Sequence, residues 1–420
     1  MDDESPAQAI HRATVRILGT PVYLFILGSV LAWIAMLIYI RGHGMEVFSN
    51  IFFFDCLDSF MDYFNSVYYS INNPYTSSDF LVIYPALITV IYSVIGYMTD
   101  GTVVEFGMTV AKNMRNSEVP MMVFFAITLC CVFLLQVLMV RKCEKQMGTT
   151  VSKLLFIVLL FSYPVLWTLE RGNSILYAVI SMMIFLNGYR SENRWIRFGA
   201  YVSLGFAAGV KIFPALLIIL ILRERRYREF LYCFAIIVAM FIVPFVFTDG
   251  TIFILLDSVL NYTDSSVLVN GRINIRDIFE YYGLTSVAAT VTSFGLLALT
   301  ILITLFNRTL PEWKILLLNC CAIMECFSVG VPYLTLYLMI PLILFLVTET
   351  RVTVLNAVYL AMFLIVFAMY PMNVEDYTVV ASVRCMTVFA MYLLVTAEAL
   401  LGGFVRKLMV SESETMGETA

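Results

Sequence analysis

The residues of this chain that could do chemistry sit in short polar stretches between long apolar runs. The richest stretch reads Phe54-Asp55-Cys56-Leu57-Asp58-Ser59-Phe60-Met61-Asp62-Tyr63-Phe64-Asn65. Asp55, Asp58, Asp62 and Asn65 stand three or four apart. On a helix they share one face, with Phe60, Met61 and Phe64 on the other. A stripe of carboxylates can supply a general base; it is also what the solvated side of an interfacial helix looks like. Glu170-Arg171-Gly172-Asn173 forms a tight turn between two apolar runs. Its Arg171 could grip a phosphate through two parallel N–H bonds, or be an ordinary turn charge. Lys211 stands between Gly209 and Pro214 with apolar residues on both sides. A cation there calls for an anionic partner or water, unless it snorkels to the surface. Arg384 opens the last apolar run after Glu375, Asp376 and Tyr377, and pairs either with those acids or with a phosphate. Glu325, inside an apolar run, and the polar pieces Asn270-Gly271-Arg272 and Arg276-Asp277 are weaker candidates. Cysteines such as Cys130, Cys131, Cys320 and Cys321 lie in apolar segments, without metal-ligand or disulfide spacing, and read as small core residues.

The elements that must position these groups are transmembrane helices. Of 420 residues, 61% are hydrophobic and 13% charged, against about 25% charged in soluble chains. Apolar runs long enough to cross a hydrocarbon layer of about 30 Å recur from Val22 to Leu401, and they are continuous rather than alternating, which favours helices over a barrel. Residues 1–16 are polar and no small-residue cleavage site follows, so the first apolar run is read as a retained helix rather than a signal peptide. Basic clusters at Arg141-Lys142-Lys145, Arg190-Arg194-Arg197, Arg223-Arg225-Arg226-Arg228, Arg308-Lys314 and Arg406-Lys407 belong on the cytoplasmic side. One path meets that demand: a helix at 20–40, an outer segment at 41–118, then helices near 119–140, 154–169, 174–189, 198–210, 212–222, 230–246, 284–306, 313–329, 331–347, 352–370 and 380–402. The expectation is therefore an all-α, polytopic transmembrane bundle of about 12 helices, a single domain over 1–420. Its cytoplasmic tails are 1–16 and 408–420, and interfacial helices lie in the first outer loop. On this path 18 of the 26 Lys and Arg are cytoplasmic. The run Phe80–Met98 is long enough to span but would break the charge pattern, so it is read as juxtamembrane or re-entrant. The short runs 198–210 and 212–222, with Lys211 and Pro214 between them, read as a hairpin of short helices. Broken helices of that kind line cavities.

The ordered set of motifs resembles a known family. A first helix and an outer Asp are followed by Pro74-Tyr75, Tyr84-Pro85-Ala86-Leu87, Arg171-Gly172-Asn173 and the Gly-Phe-Ala-Ala-Gly-Val-Lys-Ile-Phe-Pro stretch at 205–214. This resembles the GT-C superfamily of membrane glycosyltransferases, and within it glycosyltransferase family 87, which includes polyprenol-phosphate-mannose-dependent α-mannosyltransferases. The motifs cover residues 20 to about 225; beyond them the likeness rests on helix number and on Val331-Pro332-Tyr333. The family's Asp about 16 residues before its Pro-Tyr pair falls on Asp58. The resemblance thus makes Asp58 the first choice of catalytic base and Asp62 the second. Lys211 matches the basic residue of the family's Gly-Ala-rich hairpin, and Arg171 stands where the family commonly has Gln; with Arg384 they are the expected donor-phosphate ligands, and Asn65, Tyr75, Tyr84, Asn173 and Tyr333 the expected substrate-binding residues. Two departures stand out: the second Pro of the family's Tyr-Pro-Pro-Leu is Ala86, and its late His-like position is Tyr333, Thr335 or Tyr337.

What the resemblance implies is transfer of a hexosyl, first of all a mannosyl, residue from a polyprenyl-phosphate sugar to a lipid or glycan acceptor. The transfer would occur at the outer face of the plasma membrane, with inversion at the anomeric carbon and both termini cytoplasmic. No cofactor is demanded, although the Asp58/Asp62 pair leaves room for a divalent cation. Nothing points to nucleic acid. The competing reading is a polytopic transporter or a flippase of lipid-linked glycans. Such proteins carry internal repeats and midplane charges, of which the sequence gives no clear sign. A polymerase or ligase of surface polysaccharides is a third reading; it would favour a larger central outer loop.

Overall fold

The computed structural model describes residues 19–45, 59–71, 74–75, 84–100, 108–260, 274–275, 278–279, 282–326, 332–370 and 383–402. All regular structure among them is helical. Helix α1, Pro21–His43, starts on a proline, whose missing N–H costs nothing in a first turn, and ends where Gly44 turns to φ +88°. Then come α2 (Met61–Ile71), α3 (Ala86–Asp100), α4 (Met108–Asn116) and α5 (Glu118–Met147). At 30 residues, α5 is roughly 45 Å long. Helices α6 (Thr149–Leu160) and α7 (Tyr163–Arg171) are one apolar stretch bent by 54°. The single helix expected at 154–169 is broken because Pro164 cannot donate to the preceding turn. Helices α8 (Ile175–Gly188) and α9 (Arg194–Val210) pack on each other, and α9 is capped by the Asn193 side chain, which accepts from the Trp195 N–H at 2.9 Å.

A 3₁₀ segment, Phe213–Ile218, leads into α10 (Ile219–Arg223); α11 (Tyr227–Ile242) likewise runs on into a 3₁₀ turn, Val243–Phe247. The last part of the chain comprises α12 (Ile252–Leu260), α13 (Ser286–Phe306), α14 (Glu312–Glu325), a 3₁₀ stretch Pro332–Leu338 that continues into α15 (Met339–Thr348), α16 (Val354–Phe367) and α17 (Val383–Gly402).

Five helices among the described residues are long and apolar enough to cross a membrane: α1, α5, α11 with its 3₁₀ turn, α13 and α17. A sixth is the bent α6–α7 pair, and shorter apolar helices lie at 86–99, 175–188, 213–223, 333–348 and 354–367. The spans turn large apolar side chains outward, such as Leu31, Leu37 and Ile38 on α1, Leu129 and Phe133 on α5, and Val291 and Phe294 on α13. Surfaces of that kind are stable against lipid and not against water. The chain is a membrane protein. Helix α14 is buried from Trp313 to Glu325.

Two features of this packing set up the site. Gly205 and Gly209 form a small-xxx-small pair, the pattern that lets helix backbones approach closely. A Cβ on Gly205 would meet Ile236 of α11 at 2.8 Å, and one on Gly209 would meet Leu87 of α3 at 2.5 Å. The end of α9 is thereby pressed against α3 and α11. Helix α2 has eight of its eleven residues buried against its neighbours. Its rings explain this: Tyr63 and Phe64 lie 4.9 and 5.9 Å from Phe124 of α5, and Tyr63 lies 5.5 Å from Tyr92 of α3.

Candidate active site

Asp62 lies in the first turn of α2, where a carboxylate is favoured by the helix dipole. Arg171, the last residue of α7, donates to its Oδ1 from Nη2 at 2.6 Å and from Nε at 3.2 Å. Asn173 donates from Nδ2 to Oδ2 at 2.7 Å, while its own Oδ1 accepts from the Ile175 N–H at 3.0 Å. One carboxylate thus gathers two side chains more than a hundred residues away. The turn that delivers both depends on Gly172, which sits at φ +65°, a conformation costing an L-residue roughly 1–2 kcal/mol. A Cβ there would also lie 2.9 Å from Tyr63 and 3.1 Å from Phe124. The entry to α2 is held from the same turn, by the Phe60 N–H donating to the Glu170 carbonyl at 2.6 Å; Phe60 is itself at φ +63°. A non-glycine residue held in that region beside a polar cluster is a frequent companion of functional sites.

Lys211 follows α9 in extended backbone, φ −141° and ψ 123°, in the break before the 3₁₀ turn rather than within either helix. Its ammonium lies 4.4 Å from the centroid of the Tyr84 ring and 6.0 Å from that of Tyr333, contacts in which a ring face attracts a cation. Burial pushes the Lys211 ammonium down to about 8, and the charge of Asp62 offsets part of that loss. Tyr84 is fixed from behind by the Pro74-Tyr75 turn. The Tyr75 hydroxyl donates to the Tyr84 carbonyl at 2.8 Å, and the Tyr75 N–H reaches the Asp249 carboxylate at 3.2 and 3.3 Å. Gly250 is there because Tyr75 leaves no room: a Cβ on it would lie 2.4 Å from the ring.

Between α2 and α3 opens a cleft lined by Asp62, Asn65, Ser66, Tyr69, Ser70, Tyr84, Thr89 and Tyr92. Ser66 donates to the Asp62 backbone carbonyl and shares a hydrogen bond with Tyr84. A carboxylate, two cations and a wall of hydroxyls, brought from separate parts of the chain to one end of the bundle, suit a ligand that is part anion and part polyol.

Comparison with protein-family profiles matches residues 83–306 to glycosyltransferase family 87. The chain belongs to glycosyltransferase family 87. Neither the curated proteins nor the solved structures give a match. The family assignment makes the protein a glycosyltransferase, and it favours that reading over the transporter or flippase. The family 87 match takes in Tyr84, Arg171, Asn173 and Lys211; Asp62, Asn65 and Tyr75 precede it and Tyr333 and Arg384 follow it.

Of the residues singled out in the sequence, the structure brings together Asp62, Asn65, Tyr84, Arg171, Asn173, Lys211 and Tyr333. Tyr75 is one step behind them, bonded to the backbone of Tyr84. Arg384 is elsewhere. It is fully buried at the start of α17, donating to the Ala368 carbonyl at 2.8 Å, with the Tyr163 and Tyr370 rings 3.7 and 4.3 Å from its guanidinium carbon. Glu325 is buried at the end of α14. Asp55, Asp58, Glu375, Asp376, Asn270, Arg272, Arg276 and Asp277 lie outside the described residues. The sequence reading passed over Ser66, Thr89, Tyr92 and Asp249. Ser66 had a signal, standing four residues after Asp62 on the same helical face; Asp249 had none, since its partner is 174 residues away.

Proposed function

We propose that this family 87 enzyme transfers a hexosyl residue, mannosyl in the first instance, from a polyprenyl-phosphate carrier to a lipid or glycan acceptor. The reading is carried by one observation: two cations, Arg171 and Lys211, flank a carboxylate at the mouth of a hydroxyl-lined cleft. A sugar phosphate has a complementary layout, with an anion on one side and a ring of hydroxyls on the other.

The acceptor hydroxyl attacks the anomeric carbon in line as its proton passes to an Asp carboxylate. The bond from the anomeric carbon to the phosphate oxygen breaks, and its electron pair leaves on polyprenyl phosphate. Arg171 and Lys211 stabilise that growing charge, and a single displacement inverts the configuration. Asp58 is the first choice of base and Asp62 the second, because Asp62 already holds Arg171 and Asn173. The reading needs no metal, since the two cations can carry the charge of the leaving group.

The basic clusters at the opposite end of the helices support a cytoplasmic location for that end and for both termini. The site then faces outward across the plasma membrane, and about 12 crossings satisfy this plan. The test is sugar transfer by the protein in nanodiscs, with a panel of polyprenyl-phosphate sugars and membrane lipid extract as acceptor. Product from wild type is expected, with a loss of 10² to 10⁴ in rate for Asp58→Asn and undiminished donor binding. Wild-type turnover in Asp58→Asn would move the base to Asp62. No release of polyprenyl phosphate from any donor would remove the donor assignment.

A further inference from the structure

We infer that the cleft between α2 and α3 is the pocket for the transferred sugar, that it selects a neutral polyhydroxylated ring, and that Asn65 is a specificity-determining residue within it. The inference rests on the phosphate reading of Arg171 and Lys211. It adds where the remainder of the donor goes and which sugars qualify.

Every described side chain lining the cleft carries a hydroxyl, an amide or a carboxylate, and Asp62 is the one carboxylate among them. Asp62 is already neutralised by Arg171 at 2.6 Å. The cleft is small, about 70 Å³, and open on one side. An isoprenoid tail placed there would strip water from seven neutral polar side chains and return no hydrogen bonds. A second anionic group would be desolvated beside the Asp62 carboxylate with no cation among the described lining residues to receive it. A neutral sugar ring avoids both penalties: its hydroxyls meet hydroxyls, and its C–H faces meet the rings of Tyr69, Tyr84 and Tyr92.

The cleft also contains an acceptor waiting for a donor. Asn65 Oδ1 is buried and has no hydrogen-bond partner among the described residues. Two lining hydroxyls are committed elsewhere: Ser66 donates to the Asp62 carbonyl and Thr89 to the Pro85 carbonyl at 3.3 Å. Those hydroxyls keep acceptor capacity and little else. With Asn65 Oδ1 they offer acceptors on one side of the cleft, which suits a ligand presenting O–H donors. A sugar hydroxyl donating to Asn65 would relieve the unpaired oxygen.

The experiment measures the affinity of the full-length protein in nanodiscs for three short-chain lipids: polyprenyl phosphate, its neutral hexosyl ester and its hexuronosyl ester. Wild type should bind the hexosyl ester about tenfold more tightly than the bare phosphate, and gain nothing from the hexuronosyl ester. Asn65→Leu is close in shape and removes a buried unpaired acceptor, so it should fold at least as well as wild type. It should lose most of the tenfold preference while keeping its affinity for bare phosphate within twofold. Arg171→Ala should weaken all three lipids alike. If Asn65→Leu and Ser66→Ala both keep the full preference, or if the hexuronosyl ester binds as well as the hexosyl one, the cleft is not the sugar pocket, although the phosphate reading survives. If wild type binds none of the three, the phosphate reading falls and the pocket assignment with it.

Discussion

The two ends of the bundle handle charge in opposite ways. At the basic end, Arg190 pairs with Glu224 and with Glu312 at 2.8 Å, Arg226 with Glu224 at 3.2 Å and with Glu229, and Arg197 with Glu229 at 3.1 Å. Carbonyls finish the network: Arg226 donates to Tyr189 at 2.8 Å and Arg223 to Thr304 at 2.6 Å. These bonds lace together the turns between α8 and α9, α10 and α11, and α13 and α14. The pairs are numerous, mutually redundant and partly exposed, and pairs of that kind contribute about 0–1 kcal/mol each. At the other end the site is built on three described charges, Asp62, Arg171 and Lys211. Arg171 is bound to one carboxylate and Lys211 rests against tyrosine rings; the Asp62 and Tyr84 they contact line a cleft rather than a seam between helices. Charge in the first region fastens helix ends; in the second it is concentrated where a ligand can use it.

The largest expected effect that separates the two regions comes from matched arginine truncations. Arg171→Ala removes a charge-assisted contact worth roughly 1.5–3 kcal/mol, so donor affinity should drop about 10- to 150-fold. Arg190→Ala, at the basic end, should leave donor affinity within twofold. Equal losses in the two variants, measured as donor Kd in nanodiscs, would erase the distinction and turn Arg171 into another fastening.

How much of this was legible in the sequence depends on the range of the interaction. Apolar runs and basic clusters are local, so the membrane class and the approximate helix positions could be read directly. Lys211 was legible because an isolated cation between apolar stretches has few explanations, and its break from regular helix lies where Pro214 implied it. Other features needed the fold. The bend at Ser162-Tyr163-Pro164 is written in one proline, but it reads as a continuous span when only hydropathy is counted. The burial of α2 arises from Phe124 and Tyr92, on helices that no local pattern ties to it. Asp62 reads from the sequence as the second choice of base, and its partners Arg171 and Asn173 emerge only in the fold; spacing along one helix cannot reveal a partner 109 residues away. The same limit applies to Arg384, whose partners among the described residues are two tyrosine rings and two backbone carbonyls.

A smaller effect sharpens the contrast through pH. Lys211 titrates near 8 rather than at the 10.5 of a free lysine because burial disfavours its charge. The sign follows: below pH 8 the ammonium is charged and attracts the lipid phosphate, and above it the attraction fades. By pH 9 about nine-tenths of the free protein would carry a neutral Lys211, weakening affinity for bare polyprenyl phosphate by up to tenfold. The phosphate itself is already doubly ionised above about pH 7 and adds no trend there. Lys211→Arg keeps its charge across this range, so its affinity should be flat from pH 7.5 to 9. A decline of the same size in Lys211→Arg would take the titration away from this residue.

The smallest effect belongs to the basic end and is visible in stability alone. Glu224 receives hydrogen bonds from Arg190 and Arg226; partial burial works to raise its carboxyl, but these bonds and the Arg190 charge outweigh it and hold the group below the usual carboxylate range. A depressed carboxyl contributes stability above its unfolded pKa and loses it as pH falls through the folded one. At pH 7, Glu224→Gln should therefore lower the melting temperature by no more than a loss of about 1 kcal/mol would, with donor affinity unchanged. The gap between variant and wild type should close as the pH is lowered below the folded pKa, because the protonated glutamic acid then matches the neutral amide in charge. A gap that persists in acid would mean that Glu224 acts through shape rather than charge, and that the basic end is fastened by packing instead of by its ion pairs.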